Sequence, residues 1–193
     1  MHRIIRTLAN TMAIIGGIVL CALILLVCLS VLGRSLNTLL HGPIESIAPG
    51  LSQSLLALGI GPINGDFEIV EAGIAFAIFA FLPLCQIPGS HATVDIFTAK
   101  LPLRVNRFLR MIIEAVFAAV LILIAYKLYG GMQTKMRYGE TTFLLQFPIW
   151  WAYAASLIAA IAAAITATFV AVIRIQEFAV NQTILPDGEG ADH

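Results

Sequence analysis

The chain has 193 residues, of which 60% are hydrophobic and only 11% charged, with eleven basic and eleven acidic side chains and no net charge. A soluble domain carries about 25% charged residues, so this chain lacks the polar surface to stay in water and reads as a polytopic, all-α integral membrane protein. The charge balance argues against nucleic acid as a partner, and three cysteines (Cys21, Cys28, Cys85) without a C-x-x-C pair read as small hydrophobes.

In chain order, Thr7 to Gly33 is free of charge over 27 positions. A helix needs about 20 such residues to cross the hydrocarbon core, which predicts a first span over about 8–33. A cleaved leader is set aside, because a signal carries roughly 7–15 apolar residues and an A-x-A-like site, and neither fits. The connection from 34 to 66 has Ile47, Leu51, Leu55 and Leu58 at helical spacing, ended by Gly59 and Pro62. It fits either an interfacial helix lying on the membrane, limited by Pro49, or a folded loop without membrane contact.

The second span is expected over about 67–86, with Glu68 and Glu71 in its first turn. Carboxylates there complement the positive end of the helix dipole. Ionisable groups in membrane helices are also functional candidates, so proton or cation ligation is the competing reading. Next comes "GSHATVDIF", with His91 and Asp95 four residues apart. On a helix the two share a face and could bind a metal or pass a proton, but no third ligand lies nearby.

A third span is expected over about 108–129, interrupted by Arg110 and Glu114. Glu114 pairs either with Arg110, in the less favourable basic-before-acidic order, or with a basic residue on a neighbouring helix or a second protein. The fourth span, about 148–173, starts near Pro148, with Trp150, Trp151 and Tyr153 as an aromatic belt. Ala155, Ala159, Ala163, Ala167 and Ala171 recur at i+4 on it, beside Ser156, Ala160, Ala164 and Thr168. Small residues permit the close backbone approach on which helix association in lipid depends. Four helices need not supply that contact themselves, so a larger membrane partner is inferred. Residues 174–193 read as a polar tail, separate from the four-span domain of residues 1–173.

Seven Lys or Arg residues (Arg3, Arg6, Lys100, Arg104, Arg107, Arg110, Arg174) fall on one side, and four (Arg34, Lys127, Lys135, Arg137) on the other. The positive-inside rule then puts both termini in the cytoplasm and, in a Gram-negative host, the first and third connections in the periplasm. Several chemistries are set aside. The four histidines (His2, His41, His91, His193) lie outside the spans, against a helix-ligated haem. Periplasmic cysteine pairs are lacking, and so are Walker, H-E-x-x-H and G-x-S-x-G motifs. The chain is small for a complete transporter and has no evident internal repeat.

The order of features resembles a family. "VLGRS" (Arg34) ends the first span and "GDFEIVEAG" (Glu68, Glu71) opens the second; "HATVDIF" (His91, Asp95) and "LPLRVNRFLR" precede the third. "RYGETTFLLQFPIWWAY" follows it, with Gly139, Glu140, Thr141, Pro148 and Trp150 in order. Over about Arg3 to Ile173 this looks like the small, Q-type membrane subunit of a tripartite ATP-independent periplasmic (TRAP) transporter, although the first connection is longer than in the commoner pattern.

The resemblance implies a non-catalytic subunit without cofactor or metal. Its partners would be a large membrane subunit that carries the substrate and ion sites, a periplasmic substrate-binding protein, and the lipid bilayer of a bacterial inner membrane. Such systems import organic acids on ion gradients, typically sodium. The small subunit would scaffold the large one and help dock the binding protein. Arg34, Glu68 and Glu71 would make polar contacts at the periplasmic boundary, and His91 and Asp95 would shape the cytoplasmic turn before the third helix. Arg104, Arg107 and Arg110 would hold to anionic headgroups or to acidic groups of the large subunit. Residues Tyr138 to Thr142, Glu140 among them, would lie near the binding protein. The alternative is a membrane anchor or ion-conducting subunit of another complex; a membrane enzyme would use Glu68, Glu71, Glu114, His91 and Asp95.

Overall fold

The computed structural model describes residues 2–44, 47–57, 59, 61–87 and 103–180, and these are helical apart from short connections. In order they form α1 (His2–Leu39), α2 (Pro49–Ala57), α3 (Asp66–Gln86), α4 (Leu103–Tyr138) and α5 (Trp150–Val180). All but α2 are long and apolar enough to cross a membrane, giving an all-α membrane protein with four spans. One end of the bundle, the terminal end, carries the start of α1 and the finish of α5. The other, the loop end, carries α2 and the α4–α5 connection.

α1 continues past its charge-free run through Arg34 and ends in a π-helical turn, Leu40–Ile44, where Gly42 leaves helical geometry (φ −109°, ψ −107°). The Leu40 carbonyl is captured by the Ser52 hydroxyl at 2.7 Å, and both residues are buried. Pro49, expected to limit this segment, instead opens α2: a first helical residue has no use for its N–H, so proline fits there. Ile47 precedes the helix and is exposed.

α1 buries four residues, Ala9, Gly16, Leu23 and Ser30, spaced by one heptad each. Its partner is antiparallel α3. A Cβ on Gly16 would stand 2.9 Å from that of Ala80, Leu23 fills the space over Gly73, and Ser30 meets Asp66. The contacts therefore step along both helices by sevens, in opposite directions, as in a coiled-coil seam. Just beyond, Gly33 lies against the Gly61 carbonyl so closely that no side chain would fit.

α4 exceeds the expected 108–129 at both ends. Its 36 residues make a rod of about 54 Å at 1.5 Å per residue. It stops in a Schellman motif: the Glu140 N–H donates to the Lys135 carbonyl and the Gly139 N–H to that of Met136, each at 3.3 Å. Gly139 takes the left-handed conformation (φ 61°) that this terminator requires.

α5 is the central helix, packed on both α3 and α4. Ala159, Ala160, Ala163, Ala164, Ala167 and Ala171 are buried, whereas Ile158, Ile161, Ile165 and Val172 point outward. The small face read from the sequence is thus real, and a bulky face lies opposite it. Ala163, Ala164, Ala167 and Ala171 cluster with Ala118 and Leu121 of α4, so the chain covers this face itself. α5 also runs seven residues further than the expected fourth span, to Val180, and buries Arg174 and Glu177. Residues 174–180 belong to the bundle and not to a polar tail; 181–193 lie outside the described residues.

Candidate functional site

The polar groups gather at the two ends of the bundle. At the loop end, Asp66 opens α3 after Gly65, which adopts φ 80°. One Asp66 oxygen accepts the Ser30 hydroxyl at 2.5 Å, and the other accepts the N–H of Phe67 at 2.8 Å. Arg34 reaches the same carboxylate at 3.9 Å while staying largely exposed, so it adds a weak, screened attraction to a joint made by Ser30.

Two residues along, Glu68 clamps the α4–α5 connection. Its two carboxylate oxygens accept the backbone N–H groups of Leu144 and Leu145 at 2.7 and 2.9 Å. An ionised carboxylate taking two amides gives charge-assisted bonds, stronger than neutral ones. The Leu145 side chain also packs directly onto Gly65, where a Cβ would collide with it.

The clamped connection is itself folded. Thr141 and Pro148 form an antiparallel bridge, the Thr142 N–H donates to the Phe147 carbonyl and the Ile149 N–H to that of Glu140, both at 3.0 Å. Gln146 sits at positive φ (56°), and its side chain bonds the Thr141 hydroxyl and the Phe143 carbonyl. Lys135 joins Glu140 at 2.5 Å across the helix terminator. The tip is apolar and outward: Phe143 is 86% exposed. Gly139, Glu140 and Thr141 therefore stop α4 and turn the chain back. Pro148, expected near the start of the last helix, precedes it by two residues and supplies one side of the bridge.

At the terminal end a polar cluster is buried. Gln86 of α3 donates its amide to Glu114 of α4. Arg174 and Glu177 of α5 pair at 2.7 Å with both side chains almost fully covered, and the Arg174 charge also attracts Glu114. Removing one member of a buried pair typically costs about 3–5 kcal/mol, because the other charge is stranded. Glu114 thus reaches a neighbouring helix, the second of the two expectations, although its hydrogen-bond donor is an amide and not a basic side chain.

Arg104 is exposed, Arg110 half-buried and Glu71 exposed beside the α3–α5 contact; Ala155 is half-buried and Ala159, Ala163 and Ala167 are buried. His91 and Asp95 lie outside the described residues. Sequence reasoning missed Ser30, Asp66, Gln86 and Glu177. Asp66 was within reach, because Gly-Asp before an apolar run is a helix-start signal; the other three depend on which helices meet and at what register.

The family "Tripartite ATP-independent periplasmic transporters, DctQ component" matches residues 51–177, from α2 through nearly all of α5. No curated protein and no solved structure matches the chain. The match covers about two-thirds of the 193 residues and includes α3, α4, α5, the Glu68 clamp and the buried polar cluster. The chain belongs to the DctQ component family of TRAP transporters, as a small permease subunit of the membrane.

Proposed function

We propose that this subunit is a fixed, non-catalytic scaffold for the large membrane subunit of a sodium-coupled importer of organic acids. In this reading it sits in a bacterial inner membrane with both termini in the cytoplasm, so that the clamped α4–α5 connection faces the periplasmic binding protein. The observation that carries the reading is that the helices are tied together at both ends. Ser30 joins α1 to α3 and Glu68 joins α3 to the connection at one end; Gln86 joins α3 to α4 at the other. A scaffold must hold its shape while a neighbour moves, and ties at both ends oppose splaying and sliding. The exposed apolar sides of α1 and α4 offer surface for lipid and for a larger partner.

Proteoliposomes test the reading. With the binding protein and a sodium gradient, the large subunit alone is expected to take up little substrate, and adding this chain restores uptake. Full-rate uptake by the large subunit alone overturns the scaffold role; uptake indifferent to sodium overturns the coupling.

A further inference from the structure

α3 and α4 both pack on α5 but hardly on each other. The Gln86–Glu114 bond closes the gap between them at the terminal end. Toward the loop end the gap widens into a cleft of about 320 Å³, with Ala152, Tyr153 and Ser156 of α5 as its floor, Glu71 and Phe79 on one wall and Leu128 on the other. Two of its polar groups, one buried and one exposed, have no hydrogen-bond partner among the described residues. Ser156 is 3% exposed, and its hydroxyl has no hydrogen-bond partner. The Glu71 carboxylate lines the same space and makes no hydrogen bond or ion pair there. Glu68, also in the lining, has both oxygens engaged by the connection. Among the described residues no Lys, Arg or His lines the cleft.

We propose that this cleft receives a lysine or arginine side chain from the large membrane subunit, its charged end held by Glu71 and Ser156. The inference rests on the accessory-subunit reading above and names a contact through which the scaffold grips its partner. A long basic side chain fits on three counts. Its alkyl stem suits walls made of alanine, phenylalanine and leucine. Its charged end brings only donors, which a carboxylate and an unpartnered hydroxyl both accept. Its single positive charge balances the Glu71 carboxylate, which makes no ion pair among the described residues, and seating the partner takes this exposed group out of water, where the attraction is stronger. A zwitterionic lipid head would instead bring a phosphate up against Glu68 and Glu71. A bare metal ion needs about six oxygen ligands, and among the described residues no three His, Cys, Asp or Glu side chains gather to hold one.

The test uses the assembled complex of both membrane subunits in nanodiscs, with subunit exchange followed against labelled free chain. Glu71→Lys is expected to speed exchange by about tenfold or more and Ser156→Ala by a smaller factor, while Glu71→Asp stays near wild type. Thermal unfolding of this chain alone should move little with either Glu71 variant, because the group has no partner among the described residues and lies past the first turn of α3, in which the helix dipole acts. Wild-type exchange in Glu71→Lys overturns the inference, as does an equal loss of stability in the isolated chain. A structure of the complex with a lipid head or an ion in the cleft overturns it too. If the wild-type chain fails to associate with the large subunit at all, it is the accessory-subunit reading that falls.

Discussion

α1 and α5 are the two longest charge-free stretches of the chain, and hydrophobicity alone would make either one the centre of the bundle. α5 is the centre: 61% of its most apolar window is buried, against 17% for α1. The difference lies in side-chain size. α5 presents rows of alanine to α3 and α4, which lets backbones approach closely, whereas α1 is rich in isoleucine, leucine and valine that point outward. In lipid the outside is as apolar as the inside, so burial follows the shape of a face and not its oiliness. α1 obeys the same rule on a smaller scale, with a small residue at three of its four buried positions.

The comparison can be broken most severely on α5. Ala159→Leu with Ala163→Leu is expected to force α3 and α4 off the central helix, at roughly 1–3 kcal/mol per site. Unfolding by SDS titration in mixed micelles measures this, and an unchanged midpoint would refute the size rule. Next comes the α1 seam, where Gly16→Leu drives a side chain into Ala80. It should separate α1 from α3 yet leave the α4–α5 pair intact, which a cysteine cross-link within each pair reads separately. A smaller effect is expected where α5 begins. Glu68→Gln keeps one acceptor oxygen and loses the charge, so the Leu144 and Leu145 amides should exchange hydrogen about tenfold faster while the helices keep their protection. The smallest effect belongs to the outer face of α1. Ile14→Ala and Ile18→Ala are expected to shift stability by under about 0.5 kcal/mol each, and a large loss would mean that α1 is held by more than its seam.

Much of this was legible in the sequence. The four spans follow from long apolar runs, two of them carrying a few charges, and the small face of α5 follows from spacing. The purpose of the small face was not legible, because a stripe of alanines looks the same whether it meets a helix of its own chain or of another. The length of α4 was obscured because the apolar run gives out near Tyr129, with Lys135 and Arg137 beyond it, while the helix goes on to Tyr138. Likewise Arg174 looked like the start of a tail because a charge usually ends a span; a carboxylate one turn later, Glu177, makes its burial tolerable. Ser30 and Gln86 are single polar residues in apolar runs, and nothing local says which distant carboxylate each will meet.

The 54 Å reach of α4 is far more than the roughly 30 Å of a bilayer core, so part of this rod must tilt or stand clear of the hydrocarbon. A helix that long is also a dial, since each added residue turns its far end by about 100° and lifts it by about 1.5 Å. The clamped connection is thus set in phase as well as in height. One residue inserted after Tyr126 would swing Leu144 and Leu145 away from Glu68, and seven would restore the heading while raising the tip by about 10 Å. Whatever meets Phe143 is therefore met at one azimuth and one altitude, both fixed by a residue count made on the far side of the bundle.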